Sequence, residues 1–457
     1  MKKIAIAGAT GFVGQALMKR LGAEVELIGL SRSRSDAPFR VCDFFSLRDA
    51  EEGVNGADVA IYLVHSMLPS SRLTQANFAD LDLIAADNFA RACAGAGVKQ
   101  IIYLGGLLPE PGEKTSRHLQ SRAEVEEVLK SHRVPVTAFR AGLILGEDGS
   151  SFLMLKRLVK RLPVMILPHW TKTISEAVDL EGVVDAMCFS ILNEKCFNRD
   201  FDLSFDQPHS YEEMILLASE ILNRRPIILP IRLITPGLSK LWVSLITGAP
   251  RSLVGPLVES LCHPIRAKND DIYRLMNRPK CDFKKSLREA VLRPSTRDRL
   301  REMRQRKMKS SETNDVRSVQ RMKMPSGMRA QEVSLEYLKW LQTSFWLFMR
   351  VESEGQNRIL FRSIFLKPAL LILEMDFSRS SIDRSLLRIK GGLLASPDGR
   401  GRLEFREVLG GQFVLAAIHD FRPKLPWIIY KFTQALAHLL VMKAFDRHLQ
   451  RLQIRRL

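Results

Sequence analysis

The chain has 457 residues, of which 46% are hydrophobic and 26% charged, a globular balance that excludes a largely disordered protein and predicts about two to four domains. No run of 18 consecutive apolar residues occurs, and glycines break the apolar run behind Met1-Lys2-Lys3, so neither a membrane-spanning helix nor a secretion signal is expected. The net charge is +19, and residues 284–330 alone carry 15 basic against 5 acidic side chains, which points to a polyanionic partner or an anionic membrane surface.

The predicted elements begin with a buried strand, Lys3–Ala7, and a helix, Phe12–Leu21. A second strand spans Val25–Leu30, and later strands span Ala57–Leu63 and Gln100–Leu104, with a long helix near Phe78–Ala96 between them. Pro135–Arg140 is a further strand. Strands alternating with helices predict a parallel sheet covered on both faces, a Rossmann-type doubly wound α/β fold. From about 150 to 283 the pattern becomes a smaller, less regular α+β subdomain. Within it, Ser210 followed by Glu213 has the spacing of a capping box at the start of a helix, Tyr211–Asn223. Pro226–Pro256 is apolar and proline-rich, and it reads as a surface loop, a substrate lid or a membrane-facing patch.

Residues 1–283 are therefore expected as one dinucleotide-binding domain with its subdomain, and 284–325 as a basic linker with a charged helix over Arg297–Lys309 and a flexible run over Ser310–Asp315. Residues 326–457 form an α+β C-terminal domain. Its strands are predicted over Phe345–Val351, Arg358–Leu366, Leu370–Phe377, Ser385–Gly391, Gly401–Val408 and Gln412–Phe421, with turns at Gly391-Gly392, Pro397-Asp398-Gly399 and Gly410-Gly411. Pro426 then opens a long amphipathic helix. An antiparallel sheet gripping one long helix often encloses an apolar cavity.

The strongest motif is Gly8-Ala9-Thr10-Gly11-Phe12-Val13-Gly14, between a strand and a helix. Gly8 permits the tight turn, Gly11 lets backbone approach a pyrophosphate at the helix N-terminus, and Gly14 lets helix and strand pack closely. The second strand runs into Ser31-Arg32-Ser33-Arg34, with no acid to hold a ribose 2′-hydroxyl. Arg32 is placed to meet a 2′-phosphate, which favours NADP over NAD; a solvated loop arginine is the plain alternative.

These residues resemble the short-chain dehydrogenase/reductase superfamily, in its atypical, extended, NmrA-like branch. The shared pattern is Gly-x-x-Gly-x-x-Gly. The resemblance implies that Asp43, followed by Phe44, contacts adenine. It also implies that Val64 and His65, in Tyr62-Leu63-Val64-His65-Ser66-Met67, and Tyr103, in Ile102-Tyr103-Leu104-Gly105-Gly106-Leu107, lie beside the cofactor. The run Ile102–Leu107, followed by His118-Leu119-Gln120-Ser121-Arg122 and Arg140-Ala141-Gly142, is similar to one bacterial group in which such a domain is fused to a C-terminal domain of undefined function. Gly401–Glu407 and Ala417–Phe421 fit that group, whose C-terminal half is distantly similar to helix-grip lipid-binding domains.

The departures bear on chemistry. The superfamily's Ser and Tyr-x-x-x-Lys set is replaced by Gly105-Gly106 and by His118 and Arg122, which keep the four-residue spacing on one helix face. In this reading Arg122 holds ribose hydroxyls and His118 donates a proton near neutral pH; a surface pair at a helix start is the alternative. The expected activity is NADP-dependent reduction of a small hydrophobic carbonyl or quinone-like molecule. The competing reading is a catalytically inactive NADP-binding sensor or assembly factor, with lipid binding by the C-terminal domain.

No compact histidine or cysteine spacing predicts a metal. The basic linker is ranked first as solvated, then as attracted to an anionic membrane, then as a nucleic-acid binder, since it matches no nucleic-acid motif. A cytoplasmic protein, peripheral at most to the inner face of a membrane, is expected.

Overall fold

Lys3–Ala7 forms strand β1, and Ile4 to Ala7 have no exposed surface. A strand apolar on both faces requires cover on both, and that demand organises the N-terminal half. The structure, a computed structural model, describes all residues except 23, 33, 35, 66–72, 110, 111, 113, 114, 232–235, 297, 299, 303, 304, 306–314, 346, 348, 398, 399 and 457. It divides into two units: residues 1–68 with 82–306, and residues 69–81 with 307–457.

In the first unit β1 is followed by α1 (Phe12–Leu21), β2 (Glu26–Ser31), β3 (Phe39–Val41), α2 (Leu47–Val54) and β4 (Val59–Tyr62). After β5 (Leu73–Gln75), a strand of the second unit, come α3 (Phe78–Gly95), β6 (Gln100–Gly106), α4 (Arg117–Lys130), β7 (Val136–Ala141), β8 (Leu143–Leu145), α5 (Ser150–Arg161), β9 (Val164–Pro168), β10 (Ala177–Asp179), α6 (Leu180–Ser190) and β11 (Arg199–Leu203). Seven strands form one parallel sheet in the order β11-β7-β6-β4-β1-β2-β3. This is the doubly wound sheet expected. Strand order reverses between β1 and β4, and the crevice at the carboxyl ends of those strands is where such sheets bind ligands.

The substrate-side part adds α7 (Tyr211–Ile221), β12 (Ile227–Ile231), α8 (Pro236–Thr247), α9 (Arg251–Leu261), α10 (Asp271–Leu275) and α11 (Phe283–Leu292). β10 pairs with β8 and β12 with β9, both parallel. The stretch Pro226–Pro256 is thus a strand and most of two helices rather than a loop. Two of its prolines fall where helices tolerate them, Pro236 as the first residue of α8 and Pro250 as the N-cap of α9, while Pro230 lies in β12 and Pro256 inside α9.

The second unit holds β13 (Val316–Lys323), α12 (Ala330–Ser344), β14 (Met349–Glu354), β15 (Arg358–Ser363), β16 (Ala369–Met375), β17 (Arg384–Gly391), β18 (Arg402–Val408), β19 (Phe413–Phe421), α13 (Trp427–Phe432) and α14 (Gln434–Arg456). Its eight-stranded sheet runs β14-β15-β16-β17-β18-β19-β13-β5, antiparallel except for the β13–β5 pair. The core between sheet and helices is aromatic: Tyr337 and Trp340 of α12, Phe405 of β18 and Phe445 of α14 pack with centroids 5.0–6.5 Å apart.

Three further expectations differ from what is observed. The stretch expected as a linker carries order at both ends. Phe283, Leu287, Ala290 and Val291 on one face of α11 are buried in the first unit's core, and Val316 and Met322 of β13 are buried in the second's. The strand expected over Phe345–Val351 begins at Met349, because the apolar residues before it, Val333, Tyr337, Trp340 and Leu341, recur at helical spacing and form α12. The long final helix is broken at Thr433, between α13 and α14. The expected charged helix and flexible run over 297–315, Ser66-Met67 and the Asp398-Gly399 turn lie wholly or largely outside the described residues.

Candidate active site

The glycine turn has the geometry its spacing requires. Gly8 has a φ of +87°, and a Cβ there would stand 3.1 Å from the Leu63 carbonyl oxygen. Gly11 donates its N–H to the Gly8 carbonyl at 2.8 Å, and a Cβ on Gly14 would collide with that same carbonyl. Gly11 is the N-cap of α1 without a side-chain cap, and the first turn contains no acid. An uncapped helix start presents amides and a partial positive charge, the requirement for a pyrophosphate. The side chains of Phe12 and Val13 face away from that role. Val13 is in the core, and the Phe12 ring lies where a Cβ on Gly149 would touch it at 3.1 Å. Both residues offer backbone only, and Thr10 sits between the glycines of the same turn.

At the adenosine end, Arg32 is exposed just past β2. The neighbouring Arg34 is engaged: its Nε donates to Asp36 at 3.1 Å and its guanidinium lies 4.1 Å from the centre of the Phe39 ring. The half-buried Asp43 accepts the Phe45 N–H at 3.2 Å, which fixes the turn after β3. Phe44 differs from expectation. Its ring is buried against Phe89 and Tyr62, and only its carbonyl is used, accepting from Asn88 Nδ2 at 2.8 Å. The alternation of buried and half-buried positions after β3 turns this side chain inward.

The positions of the missing catalytic set form a cluster. His118 follows Ser116, whose side chain caps α4 by accepting the Leu119 N–H. One helical turn on, Arg122 is buried in an ion pair with Asp82 of α3, and Ser121 Oγ donates to the same carboxylate at 3.2 Å. Arg122 also reaches the Val64 carbonyl at 3.5 Å. Its guanidinium is thus held by the protein, where the sequence reading had it holding ribose. Tyr103 is fully buried, and its hydroxyl donates to the Arg122 carbonyl at 3.1 Å, bracing α4 against β6. Burial pushes its phenol well up, so Tyr103 acts as a brace and does not stand in for the missing tyrosine.

Burial, the Arg122 cation and neighbouring His65 together hold the His118 imidazole down at about 3. His65 reaches solvent at the rim of the crevice, where surrounding protein and Arg122 keep it below its usual value. At neutral pH His118 is therefore a neutral ring. It can share a hydrogen bond, but it is not the charged acid the sequence reading assigned. Asp82, which sets Arg122, escaped that reading; the signal was an acid within the apolar stretch of α3.

Behind His118 opens a largely apolar cavity of about 140 Å³. Gly106, His118 and Gly142 mark one end. Met154 and Leu158 of α5, Val254 and Val258 of α9, and Leu167 after β9's start form walls. Trp170 and Trp242 also line it, and both Nε1–H groups are buried with no hydrogen-bond partner among the described residues. The Ser116 and Ser260 hydroxyls, 2.9 Å apart, tie the start of α4 to α9 beside this space.

The family model for the NAD dependent epimerase/dehydratase family matches residues 4–129. A triphenylmethane reductase of Citrobacter sp. superposes with a TM-score of 0.51 at 18% identity, over 63% of this chain and 99% of that one. The first unit shares the doubly wound fold of that protein. A nucleoside-diphosphate-sugar epimerase of Staphylococcus aureus gives a TM-score of 0.50 at 15% identity, over 63% of this chain and all of that one. In sequence, the auxiliary protein GraX of Staphylococcus aureus is 33% identical over 111 residues, which is 23% of this chain. The chain spans only 36% of that relative's length. The segment matched by the family model contains the glycine turn, Arg32, Asp43, His118 and Arg122.

Proposed function

We propose that the reductase-like unit binds NADP(H) and reduces an apolar, conjugated acceptor. The cavity that begins at Gly106 and His118 carries this reading, because it joins the carboxyl end of β6 to a space lined mainly by apolar side chains. The bare amides of the α1 start, the absence of an acid in Ser31-Arg32-Ser33-Arg34 and the exposed Arg32 fit a dinucleotide with a 2′-phosphate, with NAD the alternative. The Citrobacter sp. reductase of the same fold has been solved complexed with NADP(H). A bound reduced nicotinamide supplies hydride.

The chain's own residues then decide which acceptor suits the site. His118 is neutral, so no charged acid waits to protonate an alkoxide as it forms. A conjugated acceptor that takes the hydride and its electron pair into an extended π-system, and draws its proton from water afterwards, matches that deficit. A quinone-like molecule meets that condition.

The test is NADPH oxidation by the full chain with quinones and with aliphatic ketones, alongside calorimetric binding of both nucleotides. Quinones are expected to turn over and ketones not. Arg32→Ala should weaken NADPH about ten-fold and leave NADH unchanged. Uptake of neither nucleotide would overturn the proposal; tight NADPH binding without turnover on any acceptor would assign the unit to nucleotide sensing instead.

A further inference from the structure

The second unit exposes large apolar side chains at one end. On α13 and the start of α14, Ile428 is 72% exposed, Phe432 64% and Leu440 67%, with Ile429 and Leu436 about half exposed. The buried face of α14 is accounted for by Ala435, Met442, Phe445 and Leu449 in the core. The opposite face runs Leu436, Leu440, Lys443, Arg447, apolar at the start and cationic further on. A second exposed group, Ile364, Phe365 (75% exposed) and Leu366, forms the tip between β15 and β16.

Backbone bonds bring the two groups to the same end of the sheet. Leu393 N–H donates to Ala369 and Leu394 N–H to Leu370, both at 3.0 Å, while Lys424 N–H donates to Leu394 at 3.3 Å. Ala395 bridges Pro423. The tip lies just before Ala369 and α13 just after Lys424, so both leave from this joint.

The surrounding charge has one sign. Residues 424–447 hold Lys424, Lys431, Lys443 and Arg447 against Asp446 alone. Lys367 is exposed in the tip, while the nearby Arg362 is neutralised by Glu352. Exposed aliphatic and aromatic knobs ringed by cations complement an interface with apolar acyl chains below and phosphates above. No helix among the described residues is long and apolar enough to cross a membrane, which leaves lying on it.

We propose that this end of the second unit docks on an anionic lipid bilayer, with Phe365, Ile428 and Phe432 inserted and the cations at the phosphate level. The surface is distinct from the basic stretch 284–325, and the inference is independent of the redox reading.

The test is co-sedimentation of the full chain with vesicles of phosphatidylcholine, with and without phosphatidylglycerol, at low and high salt. Binding to the anionic vesicles is expected to be at least about ten-fold tighter than to the neutral ones, and to weaken as salt is added. The double variant F365S/F432S alters only exposed side chains, so circular dichroism and the melting curve should match the parent while most binding is lost. Absence of binding to anionic vesicles, or equal binding by the double variant, would overturn the proposal. So would light scattering that shows a self-assembled oligomer which the double variant returns to monomer.

Discussion

Arg122 and Asp82 show how one residue's duty is decided by a partner far along the chain. The pair is buried and braced by Ser121 and the Tyr103 hydroxyl. Removing one partner strands a charge away from water, so Arg122→Ala should cost about 3–5 kcal/mol in denaturant unfolding, and Arg122→Met with Asp82→Leu should recover part of it. A residue that only held ribose would leave stability unchanged. His118 gives a second prediction. An unfolded histidine takes up its proton near about 6.5, whereas in the fold His118 waits until about 3. Between those values the unfolded state binds more protons, so stability falls as pH drops from 6.5 toward 3. At pH ~5.5 this amounts to about 1 kcal/mol, and His118→Asn should remove that part of the slope. NADPH oxidation should likewise show no break near pH 6–7 from this ring. The glycine turn was legible in the sequence because each glycine answers a local steric demand. Asp82 and the inward Phe44 and Tyr103 were not, since their roles depend on rings and ions supplied by distant segments.

Among elements, the start of α7 was read correctly from four residues. Ser210 Oγ accepts the Glu213 N–H at 3.2 Å, and the Ser210 N–H donates back to the Glu213 carboxylate at 2.7 Å. Because Tyr211 and Ile215 line the cavity, this cap also fixes a wall of the site. Ser210→Ala should lower stability by about 1 kcal/mol and weaken cavity ligands, which thermal melts with and without a bound quinone would register. The elements misread share a cause. In Pro226–Pro256 the prolines looked like loop punctuation, although Pro236 and Pro250 sit where helices begin, Pro230 lies in β12 and Pro256 inside α9. β13 was hidden because its buried Val316, Val319 and Met322 are interleaved with basic residues that suggested a solvated linker.

At the scale of the molecule, two units were legible from the change in pattern, but not the crossing between them. β5 adds Leu73–Gln75 to the sheet of the second unit, pairing with Val316–Ser318. A chain ending at residue 306 lacks that partner strand, so its 73–81 segment should be cut by trace protease while the full chain resists there, as mass spectrometry of the fragments would show. The strand also has a bond to the final helix: Gln75 Nε2 donates to the Ala435 carbonyl, 360 positions later. A ribosome adding about 5–20 residues each second needs roughly 20–70 seconds to supply that acceptor. Throughout that interval an early stretch of the nascent polypeptide stays unmatched, and the maturation of its opening quarter is timed by the arrival of its last.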